Sequence, residues 1–475
     1  MEIGEESVVL EPVSPTGQYL SSSFLSLSII AVLESEIPID DFQAFSLVRD
    51  VFLPINPRFS SIMVVNRKGE KQWKKVEVKL KDHIKLPIFS TENSTKFYDD
   101  SLNEYISTII MEKFPENQPL WEMLIIKYPT KQAAGNIIFK LHHSFGDGFS
   151  LMGALLSCLK RADNPSIPLT FPTAQIHSIN SQNSIFNVVP KILSSMYYTI
   201  SDFWSAIAVR SGLVEDDISP IRSGHSGVEF LPTSIVTMSF SLDSVKQIKA
   251  KLGVTINDVV MGTIFLGTRL YMEAMGKGSG KARATSLVML NTRMFRGYKP
   301  VGEMLKPNAK LPWGNHFTFL SVSIPSLNGS EVNDPLQFVR KAREIIQSKR
   351  SSVVIFLTSK YLQLVRKFKG SEVVSKYLHG SLKNTSLVTS NIMGPTEQMA
   401  FANHPIIGFY FLIAGPPQSL VIGVTSYMGK LRVSAMVEND FIDPDKFKLY
   451  VENAFDLIFA AACGAFPSNS LNVHS

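Results

Sequence analysis

The sequence predicts an α/β protein built as two sandwich-like lobes, and three observations predict it. The chain has 475 residues, too many for one ordinary core, and that length suggests two domains of about 200 residues each. Segments with the period-two alternation of strands are mixed with segments of helical period in both halves, which favours layered α/β packing. A stretch rich in Pro, Ser and Asn, "DNPSIPLTFPTAQIHSINSQN" over residues 163–183, reads as a linker. The division that follows is an N-terminal lobe over residues 1–162, a linker carrying an apolar helix over 163–232, and a C-terminal lobe over 233–475.

The elements can be justified in order. "LSSSFLSLSIIAVL", residues 20–33, is apolar but short and serine-rich, so it reads as a strand and its approach, not as a membrane span. A helix is expected over 40–52, strands over 59–65, 120–128 and 136–142, and helices over 102–113 and 149–161. Residues 184–212 carry Ile185, Val188, Val189, Ile192, Leu193, Met196 and Ile200 at near-helical spacing. Lys191, Asp202 and Arg210 interrupt the segment, and its longest uncharged stretch falls short of the ~20 residues needed to cross a bilayer. It reads either as a crossover helix between the lobes or as a helix lying in a membrane interface, with Tyr197, Tyr198, Phe203 and Trp204 as headgroup-level aromatics. In the second half, strands are expected over 235–242, 286–291, 317–324, 385–391, 407–413, 420–427 and 431–437. Helices are expected over 257–275, 334–349, 353–369 and 443–462.

Composition narrows the function classes. Hydrophobic residues make up 45% of the chain and mean hydropathy is +0.10, high for a freely soluble enzyme, so a large apolar cavity or a membrane-facing surface is implied. The net charge of +6 comes from scattered Lys and Arg. Without a basic stripe interleaved with aromatics, nucleic acid is not the expected partner; an anionic surface or a phosphorylated substrate suits the charge better. Cys158 and Cys463, the only two cysteines, cannot form a disulfide framework and point to a reducing compartment. The acidic start "MEIGEESVVLEP" argues against a secretory signal or a transit peptide.

The chemistry concentrates in "NIIFKLHHSFGDGFS", residues 136–150. If the strand persists to its end, His142 and His143 point to opposite faces, with His143 in register with the core-facing set. Gly146 and Gly148 bracket Asp147 and mark a tight turn before a helix whose stripe begins at Leu151, Leu155 and Leu156. The same pattern is compatible with a purely structural turn. A metal site is disfavoured, because adjacent strand residues diverge and no other ligand cluster is nearby. A neutral imidazole at a strand end suits general-base work on a hydroxyl or amine. Asp147, across the glycine turn, suits binding an arginine and fixing the loop without touching His143. An activated Ser144 stays open, although no GxSxG element accompanies it.

With those residues in view, His142 to Gly148 matches the HHxxxDG signature of the CoA-dependent acyltransferases. Further landmarks resemble the plant wax ester synthase/diacylglycerol acyltransferase family: "NQPLWE" (117–122), "TINDVVMG" (255–262), "VTSNIMGP" (388–395), "SPTGQY" near the N-terminus and "NPRFSS" (56–61). The resemblance implies two chloramphenicol-acetyltransferase-like lobes with an active-site tunnel between them. It also implies transfer of a fatty acyl group from acyl-CoA to a long-chain alcohol or a diacylglycerol, with His143 as base and Asp147 architectural. No metal or other cofactor is implied, and the endoplasmic reticulum membrane, at its cytosolic face, or the plasma membrane is the implied location. "PWGNHFTFL" keeps a Trp-Gly-Asn of the plant members, but His316-Phe317-Thr318 lacks the glycine expected soon after.

Other residues carry two readings each. Asn257 and Asp258 begin a helix and either cap it or work near the acceptor. Trp121 reads as core. Asn391 ends a strand ahead of the Gly394-Pro395 turn, and by the resemblance it lines the tunnel or closes the lobes. Asn257 and Asn391 are the candidate oxyanion donors, and the sequence does not choose between them. Arg293 is a partner for Asp147 or for the phosphates of CoA.

Overall fold

A computed structural model describes residues 10–92, 94–170, 215–293, 301–306, 309, 312–327, 334–350 and 364–464. The apolar segment 184–212 and residues 353–363 of an expected helix lie outside the described residues.

Two mixed sheets carry the fold. The first has seven strands, in the order Ile84–Lys85, Trp121–Ile126, Gly135–His142, Ser28–Ser35, His404–Ala414, Met399–Phe401 and Leu159–Arg161. The second has six, in the order Phe317–Ser323, Thr285–Asn291, Leu387–Met393, Leu420–Tyr427, Lys430–Glu438 and Thr233–Ser241. A small third sheet joins Leu10–Pro12, Lys71–Lys75 and Ser61–Val65.

The central strands Ser28–Ser35 and Gly135–His142 are buried at every position. That is why their sequences are continuous apolar runs and not strict alternations. They pair antiparallel with Ser28 opposite His142 and Ser35 opposite Gly135, so the histidines sit at the end of the sheet where Ser28 begins.

The second sheet packs one face on its own helices, Leu242–Leu252, Ile256–Met275, Leu336–Arg350 and Pro444–Cys463. Gly262 and Gly267 let the helix Ile256–Met275 come close to its neighbours. A Cβ at these positions would lie 2.7 Å from the Val339 Cα and 2.6 Å from the Val451 Cα. The other face contributes Ile235, Leu287, Val388, Val421 and Met436 to the same core as Ile30, Phe139 and Phe411 of the first sheet. One apolar cluster therefore spans both lobes, and a second lies between the second sheet and its helices.

Most expected strands are present within a few residues of their limits. The lobe boundaries need two corrections. Residues 399–414 follow residue 233 in sequence but belong to the first sheet, where His404–Ala414 pairs antiparallel with Ser28–Ser35. Hydrophobic pattern identifies a strand but carries no information on which sheet supplies its hydrogen bonds. The last part of the expected linker is also docked. Asp216 is buried and its carboxylate accepts from the backbone N–H and hydroxyl of both Thr285 (2.6 and 2.8 Å) and Ser386 (2.9 and 2.6 Å). Polar composition there reflects hydrogen bonds to the second lobe. The helices Leu242–Leu252 and Ser371–Lys383 were not expected from the sequence. Among the described residues, no single helix is long and apolar enough to cross a membrane.

Candidate active site

The strand Gly135–His142 extends its ladder by one bond, from the His143 N–H to the Leu27 carbonyl at 2.8 Å. The two imidazoles then part as expected. The Nδ1 of His142 accepts from the Ser144 backbone N–H at 3.1 Å and lies 2.7 Å from the Ser144 hydroxyl. Its proton therefore sits on Nε2, which donates to the Ser26 hydroxyl at 3.2 Å. Burial, reinforced by His143, Lys71 and Lys140 nearby, pushes the pKa of His142 down to about 3. It is a neutral structural residue.

His143 is 0% exposed. Its Nδ1 lies 2.9 Å from the side-chain oxygen of Asn315, while the amide nitrogen of Asn315 donates to the His143 carbonyl at 2.9 Å. The second bond fixes which way the amide points, so Nδ1 must be the donor and must carry the proton. Nε2 is left with a lone pair, buried and without a hydrogen-bond partner among the described residues. Burial lowers the pKa of this imidazole, opposed by Asp147 and the Asn315 hydrogen bond, so the neutral, proton-accepting form prevails. The half-buried ring of Phe317 lies with its centroid 5.1 Å from that of His143.

Asp147 does not bond to His143. Its carboxylate caps the helix Gly148–Ser157 through the Ser150 N–H at 3.0 Å and accepts the His316 N–H at 2.8 Å. It also forms a two-pronged ion pair with Arg293, at 2.6 and 3.1 Å. The side chains of this pair are 1% and 5% exposed. Arg293 spends its remaining donors on the Ser150 hydroxyl, the Asn291 side-chain oxygen and the carbonyls of Pro312 and Gly314. The loop and the second lobe are thereby tied through charge-assisted bonds. Of the two partners considered for Arg293, the structure supplies Asp147.

The loop rests on an aromatic nest. Phe145 is fully buried, stacks on Trp73 at 5.3 Å and meets Phe59 edge-on at 5.1 Å. Its carbonyl accepts from the Trp313 indole at 2.7 Å. Trp121 stacks on His83 and donates to the Phe59 carbonyl at 2.8 Å, so the landmarks "NQPLWE" and "NPRFSS" meet behind the loop. "SPTGQY" arrives there too, as a Ser14-capped helix, Pro15–Tyr19, that runs past the Ser144 carbonyl.

The remaining expected residues have partners other than His143. Gly148 accepts the side chain of Ile392, since a Cβ there would sit 2.7 Å from Ile392 Cδ1. Asp258 closes a capping box with Thr255 at the start of Ile256–Met275. The side-chain amide of Asn391 donates to that of Asn257 at 3.3 Å. Neither forms a hydrogen bond to His143. Among the described residues, no three His, Cys, Asp or Glu side chains cluster as metal ligands do. Asn315 stands in the Trp-Gly-Asn element, and that motif by itself does not tie it to His143. A polar amide just ahead of an edge strand was the available signal.

Residues 63–260 match the wax ester synthase/diacylglycerol acyltransferase catalytic domain, and residues 313–459 match the WS/DGAT C-terminal domain. Wax ester synthase/diacylglycerol acyltransferase 11 of Arabidopsis thaliana is 28% identical, over 94% of this chain and 93% of that protein. Wax ester synthase/diacylglycerol acyltransferase 4 of the same plant is 26% identical, over 93% and 88%. Solved structures share the fold: the wax ester synthase/diacylglycerol acyltransferase from Marinobacter aquaeolei VT8 superposes with a TM-score of 0.60 at 16% identity, covering 95% of this chain and 99% of that one. The first condensation domain of the calcium-dependent antibiotic synthetase gives 0.58 at 12% identity, covering 97% and 98%. The two matched domains, the near full-length relatives and the shared two-lobed architecture agree: the chain is an acyltransferase and belongs to the wax ester synthase/diacylglycerol acyltransferase family.

Proposed function

We propose that the enzyme transfers a fatty acyl group from acyl-CoA to a long-chain alcohol, giving a wax ester, or to a diacylglycerol, giving a triacylglycerol. His143 is the general base. The observation that carries this reading is the unpartnered Nε2 of His143, opposite an Nδ1 whose proton is held by Asn315. In the reaction the acceptor hydroxyl loses its proton to Nε2 as its oxygen bonds to the thioester carbonyl carbon. Collapse of the tetrahedral species breaks the C–S bond, and the imidazolium returns the proton to the departing CoA thiolate. No covalent acyl-enzyme is needed. Ser144 is a poor nucleophile here, because the histidine it faces is a very weak base with a pKa of about 3.

The family resemblance implies a tunnel between the lobes for substrate entry, and the acceptors are dissolved in membrane. That solubility, the apolar composition and the positive net charge support a position at the cytosolic face of the endoplasmic reticulum, or at the plasma membrane. The test is CoA release and product analysis with purified protein, acyl-CoA, and hexadecanol or diacylglycerol. Ester formed by the wild type and lost in His143→Ala supports the reading. Absence of turnover with both acceptors overturns it in favour of a lipid-binding protein.

A further inference from the structure

We propose that a cationic, aromatic face beside the histidine loop docks the protein on an anionic bilayer surface. The proposal rests on the membrane-dissolved acceptors of the reading above and adds which face meets the lipid. Phe368 is 75% exposed, Leu364 57%, Val373 43% and Phe24 41%. Leu364 and Phe368 are one helical turn apart within the helical residues 364–369 and so share a face. Val373 and Lys376 lie one turn apart on the helix Ser371–Lys383. The Lys376 ammonium sits 6.0 Å from the Phe24 ring centroid, which joins the loop around Phe24 to that helix. Lys367, Lys369 and Lys376 are all exposed, and Glu372 is the only carboxylate between residues 364 and 383.

Single exposed apolar side chains are ordinary, but several close in sequence beside three exposed lysines, with Glu372 the one acidic side chain of the stretch, mark an interaction surface. Aromatic and aliphatic groups that enter the headgroup layer while lysines meet anionic lipid fit this composition.

Its place in the fold suits delivery of the acceptor. The Ser371 hydroxyl donates to Gln18 at 3.3 Å and the Ser375 hydroxyl to the Tyr19 carbonyl at 3.2 Å. These bonds seat the helix Ser371–Lys383 on Pro15–Tyr19, whose Gly17 borders the Ser144 carbonyl. Ser26, two residues after Phe24, accepts the Nε2 proton of His142. The face therefore lies at the His143 end of the first sheet. A second apolar groove, lined by Phe42, Leu47, Ala402 and Pro405 with Lys160 and Arg161, lies at the other end. The eight-residue strand Ser28–Ser35 separates the two by roughly 25 Å.

The test is flotation of the full chain with phosphatidylcholine vesicles, with and without phosphatidylserine, beside ester formation on detergent-dispersed and vesicle-borne hexadecanol. The triple variant Lys367→Glu/Lys369→Glu/Lys376→Glu changes only exposed side chains. It is expected to lower partitioning into anionic vesicles by on the order of 100-fold, to slow turnover of vesicle-borne alcohol, and to leave turnover in detergent unchanged. Wild-type binding should weaken with salt. Leu364→Ser/Phe368→Ser should lower partitioning into both kinds of vesicle, while Phe42→Ser should float like the wild type. Wild-type flotation by the triple variant overturns the proposal. So does loss of flotation in Phe42→Ser alone, which moves the contact to the far groove. A wild type that floats but forms no ester in detergent sinks the acyl-transfer reading and leaves the docking face standing.

Discussion

Asn315 and His143 exchange two hydrogen bonds, Nδ1–H to the amide oxygen and amide nitrogen to the His143 carbonyl, each 2.9 Å long. The pair sets both the tautomer and the ring orientation of the base, and it does so across 172 residues of sequence. Asn315→Leu is expected to lower kcat by about 10- to 100-fold, a fraction of the loss from removing a general base, with a modest loss of stability. Asn315→Asp keeps the acceptor and adds a negative charge, so it should raise the pKa of His143 and move the acid limb of the pH–rate profile upward. An unmoved limb in Asn315→Asp would mean that Asn315 only supports the fold.

His143→Ala is expected to cost on the order of 100- to 10,000-fold in turnover while the fold persists. His142→Ala should cost much less in kcat and act through stability, because among the described residues the His142 imidazole hydrogen-bonds only to Ser26 and Ser144. Comparing kcat for the two variants, with circular dichroism to confirm folding, checks this. A larger kcat loss in His142→Ala would reverse the assignment.

Burial lowers the pKa of His143 and His142 below their ordinary 6.5, His142 to about 3. The unfolded chain then binds more protons than the folded one between these folded values and 6.5, so stability is complete above that pH and falls as the pH drops through the window. For His142 alone the loss approaches ~1.4 kcal/mol per pH unit at its steepest. Turnover should be flat through neutrality, with an acid limb below 6.5. Urea titrations from pH 7.5 to 4.5, with kcat/KM over the same range, measure both. An acid limb above pH 7 would show that another group titrates.

Asp147→Asn strips the charge partner from a nearly fully buried arginine. Leaving one member of such a pair uncompensated costs about 3–5 kcal/mol, so stability should fall at least as clearly as turnover. Arg293→Met should be similarly costly, and the double variant less so than the sum of the two. A double-mutant cycle in denaturant reads the coupling. Additive losses would mean that the two side chains act separately.

Gly148→Ala should destabilise by under ~1 kcal/mol, less than core overpacking does, because the new methyl would meet only the far end of the half-buried Ile392 side chain, Cδ1 at 2.7 Å. Ile392→Val removes that carbon and should recover most of the loss. A Gly148→Ala protein as stable as the wild type, or one that Ile392→Val leaves unrescued, would show that this contact does not require glycine.

What a linear motif holds within itself was legible in the chain. The alternation up to His142, the divergence of adjacent strand residues and the Gly-Asp-Gly turn are local, and they suffice to turn His143 inward and leave Asp147 free to bind an arginine. The capping role of Asp258 is local as well, three residues from the Thr255 it serves. The strand expected over 407–413, found as His404–Ala414, was visible as a strand for the same reason.

The tertiary structure alone decided which sheet receives that strand, which of its two candidate partners Arg293 takes and which side chain holds the proton on Nδ1 of His143. Each of these joins groups more than a hundred residues apart, as with the 146 between Asp147 and Arg293. Periodicity and capping reach only as far as a few turns of one element, whereas these partners are chosen by how two lobes pack through a shared core. The sequence by itself determined the kinds of element and the inward-facing histidine; the packing of the lobes determined the state in which that histidine is held.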